Sequence, residues 1–194
     1  MHVAFVIYQY DPNWRDASRF NIHLRDELLG GIDPALWGFD RVSLVCRAPF
    51  DSDQVLDKIN IYLRKDDLPP VLHWHQKPEQ LFDFLKEINP DVIHAFSLNL
   101  PLHYRWLRKT VGPGVCLVAH HTGEHHWIQL KLWMQQFGLR VVNGFVFRHQ
   151  EDTSDWLKSA VILPSQAVIA LSRGRSGISR DRLIPDMYEE LLGL

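Results

Sequence analysis

Val3-Ala4-Phe5-Val6-Ile7-Tyr8 is an unbroken apolar run near the start of the chain. A strand with one wet face alternates apolar and polar residues, whereas a run without alternation fits a strand covered on both faces, as at the centre of a parallel sheet. After Asp11-Pro12-Asn13, apolar residues recur at Ala17, Phe20, Leu24 and Leu28, and Gly30-Gly31 follows, which is helical spacing with a stop signal. The chain therefore begins strand, loop, helix. Working outward, Arg41 to Cys46 reads as a strand, Gln54 to Leu63 as a helix, Val71 to Trp74 as a short strand, and Pro78 to Ile88 as a helix with proline at its start. Asp91 to Phe96, Cys116 to His120, Gly144 to Phe147 and Ala167 to Leu171 read as further strands. Between them lie a helix capped by Asn99 and ended by Gly112-Pro113-Gly114, a helix from Trp127 to Phe137, and another from Gln150 to Lys158. Short strands separated by helices predict an α/β fold, a Rossmann-like doubly wound parallel sheet with helices on both faces and right-handed crossovers.

The 194 residues are 46% hydrophobic and 23% charged, enough for one sizeable core. Lys and Arg number 21 against 23 Asp and Glu, with no basic block, so neither a nucleic acid nor an anionic membrane is implied as the main partner. Cys46 and Cys116 each sit inside an apolar run without ligand spacing and read as buried reduced thiols. No apolar stretch is long enough to span a bilayer and no signal peptide is recognisable, so a cytoplasmic protein is expected, with peripheral membrane contact left open. Ser172 to Gly177 is apolar-poor and loop-like, and Arg182 to Leu194 carries Met187, Leu191 and Leu192 as a short amphipathic helix. The expected organisation is a domain over residues 1–171 and a linker with a terminal helix over 172–194.

In an open parallel sheet the ligand site lies beyond the carboxyl ends of the strands. The residues following those ends are the candidates. Asp11, Arg15, Ser18 and Arg19 follow the first strand, Ser97 follows the strand containing His94, and His120-His121-Thr122-Gly123-Glu124 closes the next. Arg148, His149 and Glu151 follow the one after that. The first helix can offer its N-terminus to a phosphate, with Arg15, Ser18 and Arg19 beside it; the plainer alternative is two solvated arginines. Neither a G-x-G-x-x-G fingerprint nor a phosphate-binding G-x-x-x-x-G-K-[ST] loop is present. The histidine-rich segment allows a metal site through His121 and His125, a polar loop, or a binding and catalytic loop; Gly123 breaks the helix a metal pair needs, and no metal is expected. Of the seven tryptophans, Trp14, Trp74 and Trp127 fall near strand ends where sugar rings can stack, though packing explains most aromatic residues.

Three stretches resemble the N-terminal domain of glycosyltransferase family 4 enzymes, which have the two-domain GT-B fold. They are Asn89-Pro90-Asp91-Val92-Ile93-His94-Ala95-Phe96-Ser97, Leu117-Val118-Ala119-His120-His121-Thr122-Gly123-Glu124, and Asn143-Gly144-Phe145-Val146-Phe147-Arg148-His149-Gln150-Glu151 with the helix carrying Trp156. The resemblance implies transfer of a glycosyl unit from a nucleotide sugar with retention of configuration, without a required metal and with no cofactor beyond that donor. A sugar or glycan acceptor would lie against this half. His121 matches the family's strand-end histidine at the reacting centre, His120 is the less favoured neighbour, and His94 is a packing residue. Asp11, Arg15, Ser18, Arg19, Ser97, His120, Thr122, Gly123 and Glu124 are the expected substrate-binding set. The family's first-loop Gly-Gly is replaced here by Gln9 to Arg15, and its nucleotide-binding half has no counterpart before Leu194. The chain alone is therefore expected to be inactive. The alternative is a non-catalytic Rossmann-like module that binds carbohydrate or protein, with Met187, Leu191 and Leu192 folded back onto it.

Overall fold

Successive residues of a strand face opposite sides of its sheet, so a continuous apolar run needs a core on each side. In a computed structural model that describes residues 1–123, 132–172 and 179–194, both cores are present. From β1 (His2–Ile7), Val3, Phe5 and Ile7 enter one core, while Ala4 and Val6, followed by Tyr8, enter the other. Each large apolar side chain removed from water this way contributes roughly 1.5–3 kcal/mol.

Around β1 stand β2 (Arg41–Ala48), β3 (Ser52–Leu56), β4 (Ile59–Lys65), β5 (Val92–Phe96), β6 (Cys116–His120), β7 (Gly144–Phe147) and β8 (Ala167–Ala170). They form an eight-stranded sheet in the order β3-β4-β2-β1-β5-β6-β7-β8. All neighbours are parallel except β3 and β4. The chain builds outward from β1 through β2, then returns to its other side with β5. That reversal is where a doubly wound sheet opens a crevice.

One face is covered by α1 (Ala17–Ile22), which runs on through a π-helical turn at His23–Leu28, and by α6 (Leu183–Leu192). The other carries α2 (Glu79–Ile88), α3 (Pro101–Val111), α4 (Leu132–Leu139) and α5 (Gln150–Lys158). Met187 and Tyr188 of α6 are buried, and Leu191 and Leu192 pack against the same core. Cys46 and Cys116 are buried free thiols.

The helix expected at Gln54 to Leu63 is instead the β3–β4 hairpin. Ile59, Ile61 and Leu63 are buried while Asn60, Tyr62 and Arg64 are half-buried, a period of two. Asp57 and Lys58 both have positive φ, 49° and 67°, which closes a two-residue turn matched to strand twist. Val55 to Ile59 is four residues, a helical interval, and it misleads because the two residues between Leu56 and Ile59 are a turn. The strand expected at Val71 to Trp74 is absent as well. β4 already occupies the position beside β2, and Val71 and Trp74 are exposed in the loop that follows. Asn99 does not cap α3, whose cap position is Leu100 with no side-chain bond.

That loop is fastened by Arg47, which is wholly buried at the end of β2. Its guanidinium donates to both carboxylate oxygens of Asp66 at 2.6 and 2.7 Å and to the carbonyls of Tyr8, Leu68 and Pro69. Nothing in the sequence marked Arg47 as a core residue.

Candidate functional site

The carboxyl ends of β1, β5, β6 and β7 open on a cleft of about 770 Å3. Its floor is Tyr8 and Gln9 after β1, Ser97 and Asn99 after β5, and His120 to Gly123 at the end of β6. Arg148, His149 and Asp152 form one wall, and His23, Asp26, Glu27 and Leu28 of the π-helical turn form the other. Ser97 holds a φ of 115°, a region that non-glycine residues enter at a cost of about 1–3 kcal/mol. Its N–H donates to the His120 carbonyl, and the Tyr104 hydroxyl bonds the carbonyls of both Ala95 and Ser97. Those contacts hold the strained turn, which keeps the β5 edge of the cleft fixed.

Behind the floor runs a buried chain of polar rings. The Tyr188 hydroxyl, from α6, bonds Nδ1 of His94, and Nε2 of His94 bonds Nδ1 of His120 at 2.9 Å. Burial pushes the His94 imidazole well below its ordinary pKa, with the His120 ring adding to the effect. Burial likewise lowers His120 to about 3, helped by His121 and Arg148. Both rings are therefore neutral at pH 7. Using every buried donor fixes the proton order: Tyr188 O–H to His94 Nδ1, then His94 Nε2–H to His120 Nδ1. His120 then carries its own proton on Nε2.

His121 lies 3% exposed at the cleft, flanked by Phe147 and Trp156 with ring centroids at 5.2 and 5.9 Å. Its backbone N–H donates to the Val146 carbonyl. Its Nδ1 stands 3.5 Å from a carboxylate oxygen of Asp152, longer than a good hydrogen bond and within electrostatic reach. A carboxylate on that side favours the proton on Nδ1.

Of the residues expected from sequence, Ser97, His120, His121, Thr122 and Gly123 line this cleft. Asp11, Arg15, Ser18 and Arg19 do not line it; they are exposed on the first loop and the start of α1. The N-terminus of α1 is already filled, because the Asp16 carboxylate accepts from the amides of Ser18 and Arg19. Asp11 accepts from Asn13 within its own turn. Trp14 packs on Phe20 and His23. Glu124, His125 and Trp127 lie outside the described residues, so the paired-histidine metal reading falls partly outside them as well. Among the described residues no group of three or more His, Cys, Asp or Glu side chains is placed to hold a metal. Asp152 and the His23 to Leu28 wall escaped the sequence reading because they belong to helices, not to strand ends. Arg148 and His149 had the strand-end signal.

With 88% of its length the chain superposes on 45% of a solved "lipopolysaccharide outer core galactosyltransferase WaaB apo form", at a TM-score of 0.51 and 11% identity. The fold is Rossmann-like α/β. At that identity the likeness is one of fold, and the chain spans less than half the length of that transferase. No family model matches the chain, and no curated protein matches it. No described helix is long and apolar enough to cross a membrane.

Proposed function

We propose that the cleft is the acceptor-side half of a glycosyl-transfer site, serving a reaction in which a sugar passes from a nucleotide sugar to an acceptor hydroxyl with retention. The observation that carries this reading is His121, held at the end of β6 between Phe147, Trp156 and Asp152 and facing a cleft at the switch point of the sheet. The fold likeness to a galactosyltransferase supports it. In the transfer, the acceptor oxygen bonds to the sugar's anomeric carbon on the same face from which the bond to the nucleotide's phosphate breaks, and the acceptor's proton passes to the departing phosphate oxygen. His121 accepts a hydrogen bond from a sugar hydroxyl at that centre, and Asp152 keeps its ring in the required tautomer. The donor nucleotide would be held chiefly by a second domain, so the described half is expected to bind without turning over.

The test uses the chain supplied with a nucleotide-sugar-binding half, scored by transfer of labelled sugar to a glycan panel. His121→Ala should lower turnover at least about tenfold if the ring assists the reacting group. Asp152→Asn should act in the same direction and less strongly. Turnover unchanged in His121→Ala removes it from the site. A second reading, a non-catalytic carbohydrate- or protein-binding module, is favoured by α6, which folds back to bury Met187 and Tyr188 on the domain's own sheet. It predicts sugar or protein binding in the cleft with no transfer under any donor.

A further inference from the structure

Arg148 and Arg180 arrive at one point from separate elements. Arg148 follows β7 and lines the cleft. Arg180 opens the 3-10 turn (Arg180–Arg182) that leads into α6. The two guanidinium groups meet over Gly30, at the end of the π-helical segment. Nη2 of Arg180 is 2.7 Å, and Nη2 of Arg148 3.5 Å, from the place where a Cβ on Gly30 would stand. The cationic ends can be no farther apart than those two distances laid end to end. Gly30 has a φ of 63°, and its missing side chain leaves the space in which they meet.

Among the described residues neither guanidinium has a carboxylate partner; the arginine ion pairs are those of Arg25, Arg47, Arg64 and Arg182. Two cations facing at this range repel, and one anion between them replaces that repulsion with two attractions. Guanidinium forks match the oxygens of a phosphate, and pairs of them select it over smaller anions by geometry. The nearby helix end does not compete for the role, since Asp16 already occupies the start of α1. We infer that Arg148 and Arg180 form an oxyanion clamp at the rim of the cleft, fitted to a phosphoryl group of the cleft's ligand. The clamp requires only the cleft, and it stands apart from whether sugar transfer occurs there. Its phosphoryl group belongs either to the diphosphate of a nucleotide sugar or to a phosphorylated acceptor.

Inorganic pyrophosphate is the probe, titrated into the 194-residue chain at low salt and followed by calorimetry and by amide and guanidinium NMR shifts. Saturable binding should move the signals of Gly30, Arg148 and Arg180 together. Arg148→Gln and Arg180→Gln should each weaken it by about tenfold or more, as loss of a charge-assisted pair does. Both side chains are exposed, so both variants should keep the parent's urea midpoint, which verifies the fold. Tighter binding of UDP than of pyrophosphate assigns the clamp to the nucleotide sugar, and tighter binding of glucose 6-phosphate assigns it to the acceptor. Pyrophosphate binding that ignores both substitutions, shifts centred on the start of α1, or no saturable binding overturns the clamp. With a nucleotide-sugar-binding half supplied, clamp binding with no sugar transfer counts against the transferase reading alone, and transfer indifferent to both substitutions counts against the clamp alone.

Discussion

Acidifying the protein from pH 7 to pH 5 should cost about 4 kcal/mol of stability through His103 and His120 alone. Burial holds both rings neutral in the folded state, each lowered from an ordinary 6.5 to about 3. His103 sits on α3 among the rings of Tyr8, Phe82 and Trp106, and His120 lies at the end of the Tyr188–His94 chain. Because the folded values are depressed, the unfolded chain binds more protons between pH 6.5 and 3. The contribution is therefore complete above 6.5 and is lost as the pH falls toward 3. Each pH unit inside that window removes about 1.4 kcal/mol per ring, hence about 2 kcal/mol per ring at pH 5. His94, lowered well below its ordinary value by burial, pushes in the same direction. Domains commonly hold only about 5–15 kcal/mol in total, so the loss is large. Urea unfolding at pH 7, 6 and 5 measures it; with a slope of about 2 kcal/mol per molar, the midpoint should fall by about 2 M. His103→Leu removes one titrating ring and should shrink that fall by a clear fraction. A midpoint that stays put from pH 7 to 5, or a pH slope identical in His103→Leu, would refute the reasoning.

Three further outcomes are expected. Arg47→Met leaves the Asp66 carboxylate buried without its partner and should destabilise by about 3–5 kcal/mol in urea, with Arg47→Met combined with Asp66→Leu recovering much of it. A single variant no less stable than the parent would show that the pair does not tie down the loop. Gly138→Ala places a Cβ 2.3 Å from the Pro101 carbonyl oxygen, forcing α4 off α3. Thermal melting should register a loss of about 1–3 kcal/mol or more, and an unchanged melt would mean the helices part freely. Tyr188→Phe takes the partner from His94 Nδ1 and should cost about 1–3 kcal/mol. Nitrogen NMR of the imidazoles should show the His120 proton leave Nε2 for part of the population, whereas unchanged ring shifts would exclude the proton order described above.

The centre of the fold was legible because its causes are local. Val3 to Tyr8 is a continuous apolar run and Val92 to Phe96 is broken only by His94, and such runs are satisfied inside a sheet covered on both faces. The carboxyl-end rule then points to Ser97 and His120 to Gly123, since a strand's end and a parallel sheet's open edge coincide. The edge of the sheet was not legible. Val55, Ile59 and Leu63 fit a helix as well as a hairpin, and only pairing against β2 selects the strand.

What the sequence by itself determined is the alternation of strand and helix, the two-sided core and the edge on which ligands must bind, all consequences of hydrophobic period and stop signals. Only the tertiary structure decided which strand-end residues share a cleft. It placed Arg15, Ser18 and Arg19 outside it and capped their helix with Asp16. It also brought His23 to Leu28, Arg148, Asp152 and Arg180 together from distant segments, and threaded Tyr188 of α6 through His94 to His120. Period and propensity act over a few residues. Ion pairs, proton order and a shared cleft depend on where the sheet brings remote segments, and that distance does not appear in any local pattern.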